Sequence, residues 1–274
     1  MNSKIFNVDC ISSRTNGTIV KITKLLNKKS RKEEELFTLD GVKLFKEALN
    51  FGADIKFIII KEDASLDCEI VDLIKNLQVG GVQVVCALDS AFSKLTEENA
   101  PQGIITVCGF LKNIKSVDFV EKVDENERVM AFESIRDPGN MGTILRNAAA
   151  FGIDRVILSS DCADIYSQKV MRASMGAAFK LRIDIVSDVK KTVETLKEQG
   201  RRVISTTLKE NSLRLGNCEV NRKDVFVVGN EGHGVSDEII NISNETLFIP
   251  MCDNTESLNA SIASAILMWE LFKL

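Results

Sequence analysis

No window of this 274-residue chain approaches the ~18 uninterrupted apolar residues that a membrane-spanning helix needs. Its first residues, MNSKIFNVDC, lack the apolar core of a secretory signal, so a cytoplasmic protein is expected. Cysteines stand at 10, 68, 86, 108, 162, 218 and 252, and no two of them form a CxxC pair for zinc or redox exchange. An odd, dispersed set reads as reduced thiols. There is one histidine, His233, and no ligand cluster for a metal. Repeats and low-complexity tracts are absent. So are the GxGxxG dinucleotide fingerprint and the GxxxxGK phosphate loop, which removes the usual signatures of nicotinamide and nucleoside-triphosphate sites.

What is present is the balance of a folded protein, 45% hydrophobic and 27% charged. The net charge of −4 argues against a nucleic-acid partner, but its distribution does not. Residues 1–32 hold Lys4, Arg14, Lys21, Lys24, Lys28, Lys29, Arg31 and Lys32 against the single acid Asp9. Phosphate binding follows local cation density, because each neutralised phosphate releases counterions. The plain alternative is a solvated, lysine-rich helix face.

Apolar runs and amphipathic stretches alternate along the chain. IKFIIIK, VQVVCAL and GIITVCGF read as strands, separated by helical patterns in VKLFKEALNFG, DCEIVDLIKNL and AFSKLTEEN. Residues 112–127 are charged and weakly periodic, the pattern of a linker. The alternation then restarts at VMAFES and runs to a last helix beginning near Ser257. Two α/β domains with mostly parallel sheets are expected.

Three clusters carry the chemistry. RDPGNMGTILRNAAAFG (136–152) has a Pro-Gly turn after a strand, a helix expected to start near Thr143, Asn140 at the junction and Arg146 on the first turns. VVGNEGHG (227–234) follows an apolar strand, where its glycines free the backbone to approach a ligand beyond the strand's carboxyl end. IPMCDNTESLNASIASAILMWE (249–270) places Ser257, Asn259 and Ser261 at a helix start, where side chains cap exposed amides and can address a ligand. Taken singly, each is also an ordinary turn or cap.

Together, in this order, they resemble the SpoU (TrmH) family of RNA ribose 2′-O-methyltransferases, of the SPOUT class. The pattern NxGxxxRxAxAFG, GxExxG, IPMxGxxxSLNxSxA is filled by Asn140, Gly142 and Arg146 through Gly152; Gly229, Glu231 and Gly234; and Ile249–Met251, Ser257–Asn259, Ser261 and Ala263. Asp253 stands where the family has glycine. The N-terminal part, from ISSRTN through FTLDG, resembles the L30e-like RNA-holding extension of some relatives, with Asp40 in place of the more usual glutamate. The resemblance implies an L30e-like domain over 1–112, a linker over 113–127 and a methyltransferase domain with a deep trefoil knot over 128–274.

It further implies S-adenosylmethionine as methyl donor, without metal, and a structured rRNA or tRNA as substrate. Arg146 activates the hydroxyl in this reading, either as the base or by stabilising the forming alkoxide, with Asn140, Glu231, Ser257 and Asn259 orienting ribose and arginine. Gly229, Gly234, Ile249, Met251 and Leu258 hold the cofactor, and Lys28, Lys29, Arg31, Lys32 and Arg14 hold RNA. His233 is absent from the family pattern. A homodimer with shared sites is expected, Ala148–Ala150 and the apolar AILMWELF run supplying the interface. The alternatives are a catalytically inactive RNA-binding protein of the same fold and a base-methylating relative.

Overall fold

Short apolar runs between turn signals become strands because a parallel sheet buries both faces of its central members. Ile58, Ile59 and Ile60 of IKFIIIK have no exposed surface, and every residue of VFVV (225–228) is buried. The computed structural model describes all residues except 210, 231, 253–256 and 274. The chain divides into two compact units, 1–111 with 164–179, and 112–163 with 180–274. Among the described residues no helix is long and apolar enough to cross a membrane.

The first unit begins α1 (Asn2–Phe6), β1 (Cys10–Ile11), α2 (Gly17–Lys24), α3 (Lys28–Glu34), β2 (Leu36–Asp40) and α4 (Val42–Asn50). It continues β3 (Ile55–Lys61), α5 (Cys68–Val79), β4 (Gln83–Ala87), α6 (Asp89–Phe92) and β5 (Ile104–Gly109). Its sheet runs β1-β4-β3-β5-β2. β1, β4 and β3 are parallel, whereas β5 is antiparallel to both its neighbours. The pairing is mostly parallel as expected, and β5 is the exception: the 88–103 connection carries the one-turn α6 and no long crossover helix, so β5 enters at the end where β4 leaves.

The second unit contains β6 (Ile114–Val117), β7 (Val129–Phe132), α7 (Pro138–Ala150) and β8 (Arg155–Ser159). The chain then leaves it for α8 (Gln168–Ser174) and a 3-10 turn (Ala177–Phe179), which belong to the first unit. It returns with β9 (Arg182–Val186), α9 (Val189–Glu198), β10 (Val203–Thr206), β11 (Leu213–Arg214) and β12 (Val225–Val228). α10 (Asp237–Ile242), β13 (Glu245–Phe248) and α11 (Ala260–Phe272) complete it. All its strand pairings are parallel, in the order β11-β13-β10-β12-β7-β8-β9-β6. From β7 the chain winds outward through β8 and β9, then crosses to the other side for β10. The crevice of such a sheet opens where this direction reverses, beyond the carboxyl ends of β7 and β12.

Two expected boundaries change. Residues 113–127 are no simple linker: β6 pairs with β9 at the sheet edge, and Val120 and Val123 join the core. Their apolar positions are isolated among charges, which hides a four-residue edge strand. The helical pattern at 168–174, expected in the C-terminal domain, packs with the first unit and covers the edge strand β2. Tyr166 stacks on Phe110 with ring centroids 4.0 Å apart, and Gln168 Nε2 donates to Thr38 Oγ1 at 3.0 Å. A covered edge is protected from pairing with another chain.

Candidate active site

Proline is favoured at the first helical position, and here it starts α7 five residues before Thr143. Asp137 is the N-cap and accepts from the Asn140 amide at 2.8 Å. Arg146 therefore lies in the third turn, not the first. It is exposed, and among the described residues it has no ion pair or hydrogen-bonded partner.

α11 starts at Ala260, with Asn259 and not Ser257 as its cap. Asn259 Oδ1 accepts from the amides of Ser261 (2.9 Å) and Ile262 (3.3 Å) and from Ser261 Oγ (2.6 Å). Its Nδ2 donates to Asn140 Oδ1 at 2.9 Å. Two asparagines 119 residues apart in sequence thus join the starts of α7 and α11.

A cavity of about 620 Å³ opens beside this junction, at the carboxyl ends of β10, β12 and β13. Gly229, Gly234, Ile249, Met251 and Leu258 all line it, as does Ser257. Val228, Leu247 and Ala260 add apolar wall. The glycine loop is folded tightly on itself: Asn230 and Gly234 exchange backbone hydrogen bonds of 3.1 and 2.8 Å. A Cβ on Gly229 would stand 2.0 Å from the Gly234 carbonyl carbon, so no other residue fits without moving the loop. Gly234 has φ +71°, which glycine adopts without strain. Glu231 and Asp253 lie outside the described residues.

Sequence reasoning missed Thr206, Thr207, Lys209 and Asp237, which also line the cavity. Lys209 Nζ donates to Asp237 Oδ1 at 2.7 Å and holds that carboxyl below its ordinary range. The strand-end rule that located the glycine loop applies equally to the TTLK stretch after β10. His233 is an exposed member of the same lining. On the other side of the crevice, burial raises the Asp161 carboxyl. Hydrogen bonds from Ser134, Ser159 and Arg136 outweigh that effect and hold it low.

In the first unit, Lys28, Lys29 and Lys32 of α3 are exposed, and Arg14 Nε donates to the Ser90 carbonyl at 2.7 Å. Arg31 does not join them. It is 4% exposed and bonded to Asp164, so its guanidinium is structural and cannot face a phosphate. One residue of the basic helix points inward because its period turns every fourth position to the core.

Residues 127–269 match the SpoU rRNA Methylase family model, and residues 16–106 match the MRM3-like substrate binding domain. The chain is 30% identical to the 23S rRNA (guanosine(2553)-2'-O)-methyltransferase RlmP of Bacillus subtilis, over 95% of this chain and 98% of that protein. The AdoMet-bound rRNA methyltransferase of Sinorhizobium meliloti superposes with a TM-score of 0.82 at 27% identity, covering 97% of this chain and 98% of that one. AviRb of Streptomyces viridochromogenes, at 20% identity and a TM-score of 0.80 over 94% of this chain and 98% of its own, shares the fold. This chain belongs to the SpoU rRNA methylase family.

Proposed function

We propose that the chain moves the methyl group of S-adenosylmethionine to a ribose 2′-hydroxyl of RNA, with rRNA the favoured substrate class. The observation that carries this is the cavity at the strand ends, set directly beside the Asn140–Asn259 hydrogen bond. Its lining suits that cofactor: apolar Val228, Leu247, Ile249 and Leu258 for a purine, and the backbone of the glycine loop for polar atoms. The AdoMet complex of the Sinorhizobium relative supports the same choice. A catalytically inactive RNA binder would have no need to keep such a cavity.

When bound, the cofactor supplies an electrophilic methyl on sulfur. The chain's own residues must place the hydroxyl and deal with its proton. A ribose hydroxyl is a weak acid, so charge developing on its oxygen needs a partner. Arg146 is that partner in this reading, an exposed cation that stabilises the forming alkoxide and fixes the neighbouring phosphate. Asn140, held by its own amide and by Asn259, orients the ribose, and Ser257 and Glu231 share that role in this reading. Met251 and Gly234 complete the cofactor contacts.

Arg146 and Asn140 are six residues apart on α7, about 120° around the helix and roughly 9 Å along it. They face different directions, which favours a homodimer in which each arginine serves the partner's cavity. Exposed Ile262, Trp269 and Phe272 on α11 support the same arrangement. Lys28, Lys29, Lys32 and Arg14 hold RNA from the first unit. A trefoil knot in the C-terminal unit and a cytoplasmic location complete the proposal. Calorimetry with S-adenosylmethionine and EDTA present tests the cofactor site: binding supports the reading, and no heat with no thermal shift at saturation refutes it.

A further inference from the structure

We infer that Glu133 and Asn230 are positioning residues for the transfer, a two-point clasp that fixes the glycine loop against the loop leading into α7 and Asn140. The inference rests on the function proposed above. β7 and β12 run side by side up to Phe132 and Val228, and the Glu133 amide donates to the Val228 carbonyl at 2.9 Å. Past that point the ladder ends.

Among the described residues, two side chains bridge the loops beyond it. Asn230 Nδ2 donates to the Ser134 carbonyl at 2.9 Å, while its Oδ1 accepts from the Gly232 amide at 2.8 Å. At the other end of the glycine loop, the Glu133 carboxylate accepts from both the amide and the hydroxyl of Ser236, each at 2.8 Å. Asn230 and Ser236 are therefore each held by one of two consecutive residues of the neighbouring loop.

The gripping loop is itself held. Ser134 has φ +58°, an uncommon conformation for a residue with a side chain, which persists only where the surroundings fix it. Its Oγ donates to Asp161 Oδ2 at 2.6 Å and its amide to Ser159 Oγ at 2.8 Å. From Ser134 the chain runs to the Asp137 cap and on to Asn140, which closes the path through Asn259. Cavity and catalytic helix thus form one hydrogen-bonded frame. In-line transfer is sensitive to such framing, since a misplacement of about 1 Å can cost on the order of a hundredfold in rate.

Four variants test the clasp. Asn230→Asp keeps the acceptor for the Gly232 amide but loses the donor to Ser134 and sets a carboxylate oxygen against that carbonyl. The expected result is a kcat at least about tenfold lower, with the calorimetric Kd for S-adenosylmethionine within about threefold of wild type. Asn230→Ala loses both bonds, so the Kd rises as well and the Gly232 amide exchanges faster with solvent. Glu133→Ala lowers kcat, and Glu133→Gln recovers most of it, because the amide can serve both Ser236 groups. Wild-type kcat in Asn230→Asp and Glu133→Ala overturns the inference, and so does a kcat loss that only follows a loss of folded protein. Should the wild type methylate no RNA, the proposed function fails by itself. The binding and exchange comparisons still read the clasp, and Asn230→Ala with unchanged Kd and exchange would refute it.

Discussion

Arg31 donates from Nη2 and Nε to one carboxylate oxygen of Asp164, at 2.6 and 3.1 Å, and from Nη1 to the Leu25 carbonyl at 2.6 Å. This pair secures residues 164–179 to the first unit, 133 residues downstream of the helix they meet. Removing one partner of a buried ion pair leaves the other uncompensated, so Arg31→Ala should cost about 3–5 kcal/mol in that unit. Chemical denaturation checks the value. A fragment of residues 1–111 lacks the same bonds and uncovers β2. It should unfold at a lower temperature than the first unit of the intact chain and be stabilised by a peptide of residues 164–179.

Gly229→Ala should weaken S-adenosylmethionine binding by at least about tenfold, because the new Cβ meets the Gly234 backbone at 2.0 Å and the loop must open. Calorimetry reads the affinity and far-UV circular dichroism the fold. A normal affinity would remove the glycine loop from the cofactor site.

RNA affinity should fall steeply with salt. The triple variant Lys28→Ala, Lys29→Ala, Lys32→Ala should lower the slope of log K against log salt by up to about 3, one for each phosphate left without its lysine. Arg31 is left out, since its effect would be on stability. An unchanged slope would place the RNA surface elsewhere.

Trp269 and Phe272 are 47% and 46% exposed, with ring centroids 5.7 Å apart, and both approach Phe151. Changing both to glutamate should produce monomers by sedimentation and abolish methylation while leaving circular dichroism intact. Mixing the inactive Arg146→Ala and Asn259→Ala variants by co-refolding should restore about a quarter of the sites if the two residues act from opposite chains. No activity in verified mixed dimers would contradict a shared site.

The strands and helices were largely legible because burial writes itself as apolar runs and helical periods, as in IKFIIIK and VFVV. Part of the cavity lining was legible through the family motifs, since Gly229, Ile249 and Leu258 lie inside matched patterns, whereas Thr206, Thr207, Lys209 and Asp237 lie outside them. What was hidden depended on distant partners. The helical period turns one position of α3 inward, but nothing local shows that it is Arg31, because its partner Asp164 belongs to a segment that leaves its sequence neighbours. The starts of α7 and α11 were misplaced by a few residues: Pro138 reads equally as a turn or as a first helical position, and Ser257 competes with Asn259 as a cap. Asn230 sits at an unspecified position of the GxExxG pattern and Glu133 lies before the first cluster, and their roles depend on a ladder that ends just before both.

Methyl transfer to a ribose hydroxyl, with Arg146 at the reacting oxygen, can be followed on RNA itself. The most direct test incubates rRNA and tRNA with the protein and S-adenosylmethionine, then identifies the modified nucleosides by mass spectrometry after digestion. A single 2′-O-methylated nucleoside is expected. Arg146→Ala should lower its rate of formation by roughly a hundredfold or more with cofactor affinity unchanged, and Arg146→Lys should not rescue it, lacking the planar fork. A methyl group found on a base, no product from any RNA, or near-normal turnover by Arg146→Lys would contradict the account.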